Sequence, residues 1–199
     1  MTANDPDTLA FYADEAVRYA NQIQARSFEH LDTYLALLSP GATILELGCG
    51  GGDDTAHMLE RGFNVAPTDG SPEIAAEAQK RLGIPVSVLQ FQDITAENAF
   101  NGVWASACLL HVPRTALPDI IGHIHRALRP DGQFFASFKS GTAEGRDRFG
   151  RYFNYPSPDW LRDAYQADRW QTIDIQTVMG SGYDKEPTEW LHVTATKRG

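Results

Sequence analysis

Two spacings of apolar residues alternate along the chain. From Asp7 to Leu38 apolar positions recur at helical intervals with no internal proline, and Ser39, Pro40 and Gly41 stop the pattern, which predicts one or two helices ahead of the first strand. ATILEL (42–47) is aliphatic and β-branched over a strand's length, and Asp53 to Gly62 then reads as a helix closed by a glycine. FNVAPTD (63–69) is a second strand ending on an acid, Ser71 and Pro72 open a helix reaching Leu82, and PVSVLQF (85–91) is a third strand. GVWASACLL (102–110) is apolar almost throughout, as expected of a strand covered on both faces. Leu117, Ile120, Ile121, Ile124 and Leu128 then form one helical stripe, ended by Pro130-Asp131-Gly132 before the strand QFFASF (133–138). A glycine-rich, aromatic loop (140–159), a short helix from Ser157 to Tyr165 and two strands near 171–178 and 189–196 complete the pattern.

Strands alternating with helices imply a mainly parallel sheet with helices on both faces, and ligands in such sheets sit beyond the carboxyl ends of the strands. Composition adds limits. The 199 residues fit one domain, and with 42% hydrophobic and 22% charged residues they describe a globular chain. No apolar run approaches a membrane span and MTANDPDTLA has no signal-peptide character, so a cytoplasmic location and no membrane partner are expected. Cys49 and Cys108, the only cysteines, are too few for a disulfide framework or a zinc cluster, and no metal is expected. A formal charge of -9 argues against a broad nucleic-acid surface.

The segment ILELGCGGGDD (44–54) carries the chemistry, because clustered glycines directly after a buried strand mean that backbone turns sharply or approaches something closely. A dinucleotide fingerprint G-x-G-x-x-G/A would place Gly48, Gly50 and Asp53 at its three positions, so the small last residue is an aspartate and the fit to NAD is poor. Asp53 and Asp54 also put negative charge where a pyrophosphate would meet a helix N-terminus. No Gly-Lys-Ser/Thr follows, which removes the P-loop. A ligand without phosphates and with a positive group suits this turn better.

These residues resemble the class I S-adenosylmethionine (SAM)-dependent methyltransferases. Glu46, Gly48, Gly50 and Gly52 match that family's E-x-G-x-G-x-G motif, Asp69 matches the acid ending the second strand, and Asp93 in FQDIT matches the acid after the third. FNGVWASACLLHV and Leu128-Arg129-Pro130-Asp131-Gly132 resemble the two later motifs, with Asn101 and Leu110 as departures, and the Asn/Asp-Pro-Pro-aromatic motif of base-amino methylating relatives is lacking. The resemblance covers roughly residues 43–138 and implies an α/β, Rossmann-like sheet of seven mostly parallel strands with the last antiparallel. Around that SAM-binding core the chain is expected to supply a helical lid over 1–40, an acceptor-site loop over 139–160 and a final helix and strands over 161–199.

By the same resemblance, Glu46, Gly48, Cys49, Gly50 and Gly52 lie under the methionine part of SAM, Asp69 with Gly70 takes the ribose, and Asp93 with Ile94 meets the adenine. Ser106 or Ala107 would offer a carbonyl to the methionine amine, and Phe11, Tyr12 and Tyr19 would form an aromatic lid over the sulfonium. His111 is the candidate base or orienting group. Each has a plainer alternative: Asp69 and Asp93 as turn caps, Glu46 as a pin for the glycine loop, His111 as a backbone partner near Pro113, the aromatics as helix packing. Arg146, Arg148 and Arg151, with Tyr152 and Tyr155, bring guanidinium groups and rings together in an acidic chain, which suits an acceptor site for carboxylates or phosphates. Small chains of the tellurite-resistance type are similar. The expected activity is methyl transfer to a small molecule, with a tRNA wobble methyltransferase, a non-catalytic SAM-binding module and a nicotinamide enzyme as alternatives.

Overall fold

The computed structural model describes residues 5–20, 27–183 and 185–199, with the backbone alone of 19 and 20. One sheet organises them. Its strands are β1 (Thr43–Leu47), β2 (Asn64–Asp69), β3 (Ser87–Val88), β4 (Phe100–Ala105), β5 (Leu128–Lys139), β8 (Trp170–Ser181) and β9 (Pro187–Lys197), in the order β3-β2-β1-β4-β5-β9-β8. Pairs from β3 through β5 are parallel, whereas β9 runs antiparallel between β5 and β8. The expected seven-stranded sheet with an antiparallel last strand is therefore present. β6 (Gly145–Arg146) and β7 (Tyr152–Phe153) form a separate ribbon inside the segment expected to be a loop.

The helices follow from local signals. α5 (Pro72–Leu82) starts where the Ser71 hydroxyl accepts the Ile74 amide and ends at Gly83, whose φ of 70° suits glycine. α7 (Pro158–Tyr165) repeats the start with Ser157, and α1 (Pro6–Asp14) with Asp5. α6 (Leu117–Ala127) buries its stripe of Leu117, Ile120, Ile121 and Ile124, each contributing about 1.5–3 kcal/mol by leaving water. It ends one residue before Leu128, which opens β5 beside Phe100; the register with β4 then shifts before pairing continues at Gln133 opposite Gly102. The N-terminal segment divides into α1, α2 (Ala16–Ala20) and α3 (Glu29–Leu35).

Both faces of the sheet are covered, which is why β1 and β4 carry apolar residues at successive positions, Ile44-Leu45 and Val103-Trp104-Ala105. Leu45, Leu47, Val103 and Ala105 pack with α6 and α7, and Ile44, Trp104 and Phe135 pack with α3 and Met58 of α4 (Asp53–Glu60). Two predicted strands are shorter than expected. The third is confined to Ser87–Val88, and the fourth stops at Ala105 because Ala107 takes a left-handed φ of 51° and Leu109–His111 form a single 3-10 turn. Leu109 and Leu110 are still buried, so the apolar run reported burial correctly and extension wrongly.

Winding reverses between β1 and β4: β2 and β3 lie on one side of β1, while β4 and β5 lie on the other. The carboxyl ends of β1 and β4 thus border a crevice. Close packing behind it depends on Gly102, where a β-carbon would collide with the Tyr34 hydroxyl that donates to the Val103 and Gln133 carbonyls at 3.2 Å each. Gly102→Ala is expected to cost about 1–3 kcal/mol in urea unfolding, and less in a Tyr34→Phe background. Equal costs in both backgrounds would contradict this packing.

Candidate functional site

The crevice is lined by bare backbone. β1 runs straight into Gly48, Gly50 and Gly52, with φ of 68°, 56° and 82°, values that side-chain-bearing residues rarely adopt. A β-carbon on Gly48 would lie 2.6 Å from that of Cys108, and one on Gly52 would lie 2.7 Å from Leu82. Glu46 stays behind the turn: it is buried, its carboxylate accepts the Thr55 hydroxyl of α4, and its carbonyl accepts the Thr68 hydroxyl at 2.7 Å. Glu46 and Gly52 fix the turn from behind and are absent from the lining of the two cavities that flank it. Asp53 is paired with Arg81, which also donates to the Gly51 carbonyl at 2.8 Å.

Asp69, at the end of β2, faces the turn. Its carboxylate accepts the Gly50 amide at 3.1 Å and the Ser71 amide at 2.9 Å. Burial pushes its pKa up to about 6, against hydrogen bonds from Ser71, Gly50 and Gly70 that favour the anion. With four lone-pair positions on a carboxylate, acceptor capacity is left over.

Two cavities meet at this place. A narrow one of about 90 Å³ runs past Gly48, Gly50, Asp69, Gly70, Ser106 and Ala107. Its remaining wall includes Ile74, Leu89, Gln90 and Phe91, and α1 closes it with Leu9 and Tyr12. A wider one of about 560 Å³ shares Gly48, Gly50, Ser106 and Ala107, adds Cys49, and extends along Trp104, Phe135 and His192. Ala107, in its left-handed conformation, donates its amide to the Ser137 hydroxyl at 2.8 Å.

Other expected residues lie elsewhere. Asp93 is exposed, at the end of the 3-10 turn Phe91–Asp93 that begins on the last residue of the predicted strand, and Ile94 is buried in the core. Gln90 and Phe91 of the same segment face the cavity instead. Sequence reading missed these two with Ile74, although an apolar residue three positions into a helix after the strand-two acid was a usable signal.

None of Arg146, Arg148, Arg151, Tyr152 and Tyr155 lines either cavity, contrary to the expected acceptor loop. Charge pairing explains it. Arg146 grips Asp5 at 2.7 Å and Asp7 at 3.2 Å, and the buried Arg151 is held by Asp147 at 2.7 Å. Arg151 also sits within 4.9–5.8 Å of the ring centres of Phe11, Tyr12, Phe149, Phe153 and Tyr183. Arg148 is exposed over Phe149, the Tyr152 hydroxyl donates to Glu144 at 2.6 Å, and Tyr155 stacks on Phe153. The segment is a clamp on α1: the Tyr152 amide donates to the Thr8 hydroxyl at 2.8 Å.

His111 is part of that clamp. Its Nδ1 lies 2.6 Å from the Tyr152 carbonyl and its Nε2 lies 3.0 Å from the Tyr12 hydroxyl. A carbonyl only accepts, so Nδ1 carries the proton in the neutral ring and Nε2 accepts from Tyr12. Tyr12 in turn accepts from Arg151 at 3.1 Å. Burial lowers the His111 pKa to about 4, and both nitrogens are engaged, which suits orientation better than proton abstraction. The side chain of Tyr19 lies outside the described residues.

The fold is that of the class I SAM-dependent methyltransferases. It superposes with a TM-score of 0.78 and 25% identity, over 97% of this chain and 88% of the other, on the Burkholderia thailandensis 1,6-didemethyltoxoflavin-N1-methyltransferase, solved with 1,6-didemethyltoxoflavin and S-adenosylhomocysteine. Haemonchus contortus phosphoethanolamine N-methyltransferase 2 shares the fold at a TM-score of 0.73 and 15% identity, over 98% of this chain and 59% of that one. Residues 44–132, a little under half of the chain, match the methyltransferase domain family. An uncharacterized methyltransferase of Synechocystis is 31% identical over 111 residues, 54% of this chain and 51% of that protein. The ubiquinone biosynthesis O-methyltransferase of Pseudomonas aeruginosa is 35% identical over 105 residues, 49% of this chain and 44% of that enzyme. The aligned region is thus about half the length of the curated relatives.

The clamp has a signature in pH. His111, at about 4 in the folded chain against an ordinary 6.5, adds stability that is complete above pH 6.5 and lost as pH falls towards 4; His192, also lowered to about 4, acts alike. Asp69, raised from 3.8 to about 6, acts oppositely: its contribution is present below 3.8 and lost as pH rises to 6. Only a difference between variants therefore isolates His111. Between pH 6.5 and 4, wild type should lose more unfolding free energy in urea than His111→Gln; parallel curves would refute a neutral, buried His111.

Proposed function

We propose that the protein transfers the methyl group of SAM to a small molecule, with the cofactor in the narrow cavity and the acceptor approaching through the wide one. The observation that carries this reading is the junction of the two cavities at Gly48, Gly50, Ser106 and Ala107. A long ligand lying in the first would reach the second across backbone that has almost no side chains.

The residues present fit the cofactor. Asp69 has hydrogen-bond capacity left for a ribose diol, and donors from that diol would favour its anion and draw its pKa back down. Ile74, Leu89 and Phe91 supply apolar walls for an adenine ring. Gly48, Ser106 and Ala107 remain for the methionine end, beside the ring of Tyr12. When bound, SAM supplies an electrophilic methyl group on a positively charged sulfur. The chain's own work is to align the acceptor with that carbon and to exclude water, tasks suited to closure by α1 under the Arg146 and Arg151 clamp. His111 is then a positioning residue that holds Tyr12 at the cavity.

Small-molecule acceptance is supported by the Burkholderia relative, whose structure holds such an acceptor, and by the engagement of Arg146 and Arg151 within the chain. That engagement also weighs against a tRNA substrate, as does the acidic balance, and the wide cavity weighs against a non-catalytic SAM module. Among the described residues no helix is long and apolar enough to cross a membrane, and a cytoplasmic location completes the reading. In a calorimeter, S-adenosylhomocysteine should bind wild type in the micromolar range, with Asp69→Ala weakening it by about tenfold or more through loss of charge-assisted hydrogen bonds. Equal affinity for the two proteins would remove Asp69 from the site.

A further inference from the structure

The wide cavity has a chemistry that the cofactor motifs do not explain. Trp104 of β4 and Phe135 of β5 stack in its floor, with ring centres 4.0 Å apart and planes 14° from parallel. His192 of β9 meets the Phe135 ring at 5.3 Å and 76°, and His30 of α3 meets His192 at 4.3 Å and 86°. Trp190, two residues before His192 on the same face of β9, adds another wall. Gly180 of β8 makes room for it, since a β-carbon there would lie 3.2 Å from the Trp190 ring.

Charge narrows the ligand. Among the described residues no lysine or arginine lines this cavity. The acids at its glycine end have partners: Asp53 pairs with Arg81, and the buried Asp54 accepts the Trp104 indole N–H at 2.9 Å. An anionic group entering here would lose water and meet carboxylates, whereas a flat uncharged ring would pack against the half-buried Trp190 and the edges of the aromatic floor. Burial, helped by neighbouring His30, lowers the His192 pKa to about 4. His192 is thus neutral at ordinary pH and presents one N–H donor and one bare nitrogen.

We propose that the wide cavity binds an uncharged, planar aromatic or heteroaromatic ring, packed against Trp190 above the buried Trp104–Phe135 pair, with the polar edge of the ring on His192. That this ring is the methyl acceptor rests on the proposed function; that the cavity takes such a ring does not. The arrangement moves substrate recognition away from the arginine-rich segment and changes the expected acceptor from an anion to a neutral ring.

The test is a titration of the dialysed protein, followed by tryptophan fluorescence, with two uncharged rings, quinolin-4-one and indole, and with quinoline-4-carboxylate as the anionic counterpart. Saturable quenching by at least one neutral ring is expected, with the carboxylate about tenfold weaker or worse. His192→Ala should weaken a ring that carries a polar edge by about tenfold while leaving S-adenosylhomocysteine binding unchanged. The proposal is overturned if neither neutral ring binds, if the carboxylate binds as well, or if His192→Ala has no effect. The wild-type comparison of rings stands even where the variant fails to fold. Ring binding without S-adenosylhomocysteine binding would overturn the cofactor reading and leave this one intact; the reverse result would do the opposite.

Discussion

The structure depends on a stretch of backbone that cannot carry side chains. Gly48 approaches Cys108 so closely that one methyl group would not fit, and Gly52 approaches Leu82 in the same way. These contacts fix the end of β1 against the turn after β4 and against α5, at the point where strand order reverses. Because the contact is steric, it tolerates no larger residue at either position, and it leaves amide and carbonyl groups as the lining of the crevice. The fixings behind the turn are buried hydrogen bonds, from the Thr55 hydroxyl to the Glu46 carboxylate and from the Thr68 hydroxyl to the Glu46 carbonyl, and the loss of either takes a donor from a buried acceptor. Cavity shape, the place of Asp69 and the meeting of the two cavities all follow from that turn.

A second organising group is Arg151. A buried guanidinium is costly to desolvate, and here Asp147, the Tyr12 hydroxyl and the rings around it offset that cost. The result ties α1, the β6–β7 ribbon and the end of the β8–β9 hairpin at Tyr183 into one cluster over the crevice. His111 joins it through Tyr12, so the residue with the most obvious acid-base chemistry is occupied with holding the closing helix. In a chain of net charge -9, arginines find internal acids before they find a ligand.

Much of the sheet was legible in the sequence because its signals are local. The Ser71-Pro72 start, the Gly83 stop and the apolar stripe of α6 each lie within one element, and strand alternation follows from their order. The glycine turn, and the place of Asp69 at the end of β2 facing it, were legible for the same reason, since a few neighbouring residues express the steric demand. The early end of the third strand was not, because whether the chain extends or winds after Val88 depends on tertiary packing that leaves periodicity unchanged. The role of Arg146 was hidden by distance: its partner Asp5 is 141 positions away. The wide cavity was hidden more thoroughly, since Trp104, Phe135, Trp190 and His192 come from three strands and form no motif, and only the register of the sheet brings them together.

The central claim is that two ligands meet over the bare glycine turn, one lying on Asp69 and the other beyond Ala107. A crystal structure of the protein grown with S-adenosylhomocysteine tests it most directly. The account predicts a ribose on the Asp69 carboxylate, an adenine against Ile74 and Phe91, and a thioether at the junction by Gly48 and Ser106, facing the wide cavity. Density for the ligand with its adenine in the wide cavity, or away from Asp69 altogether, would contradict it.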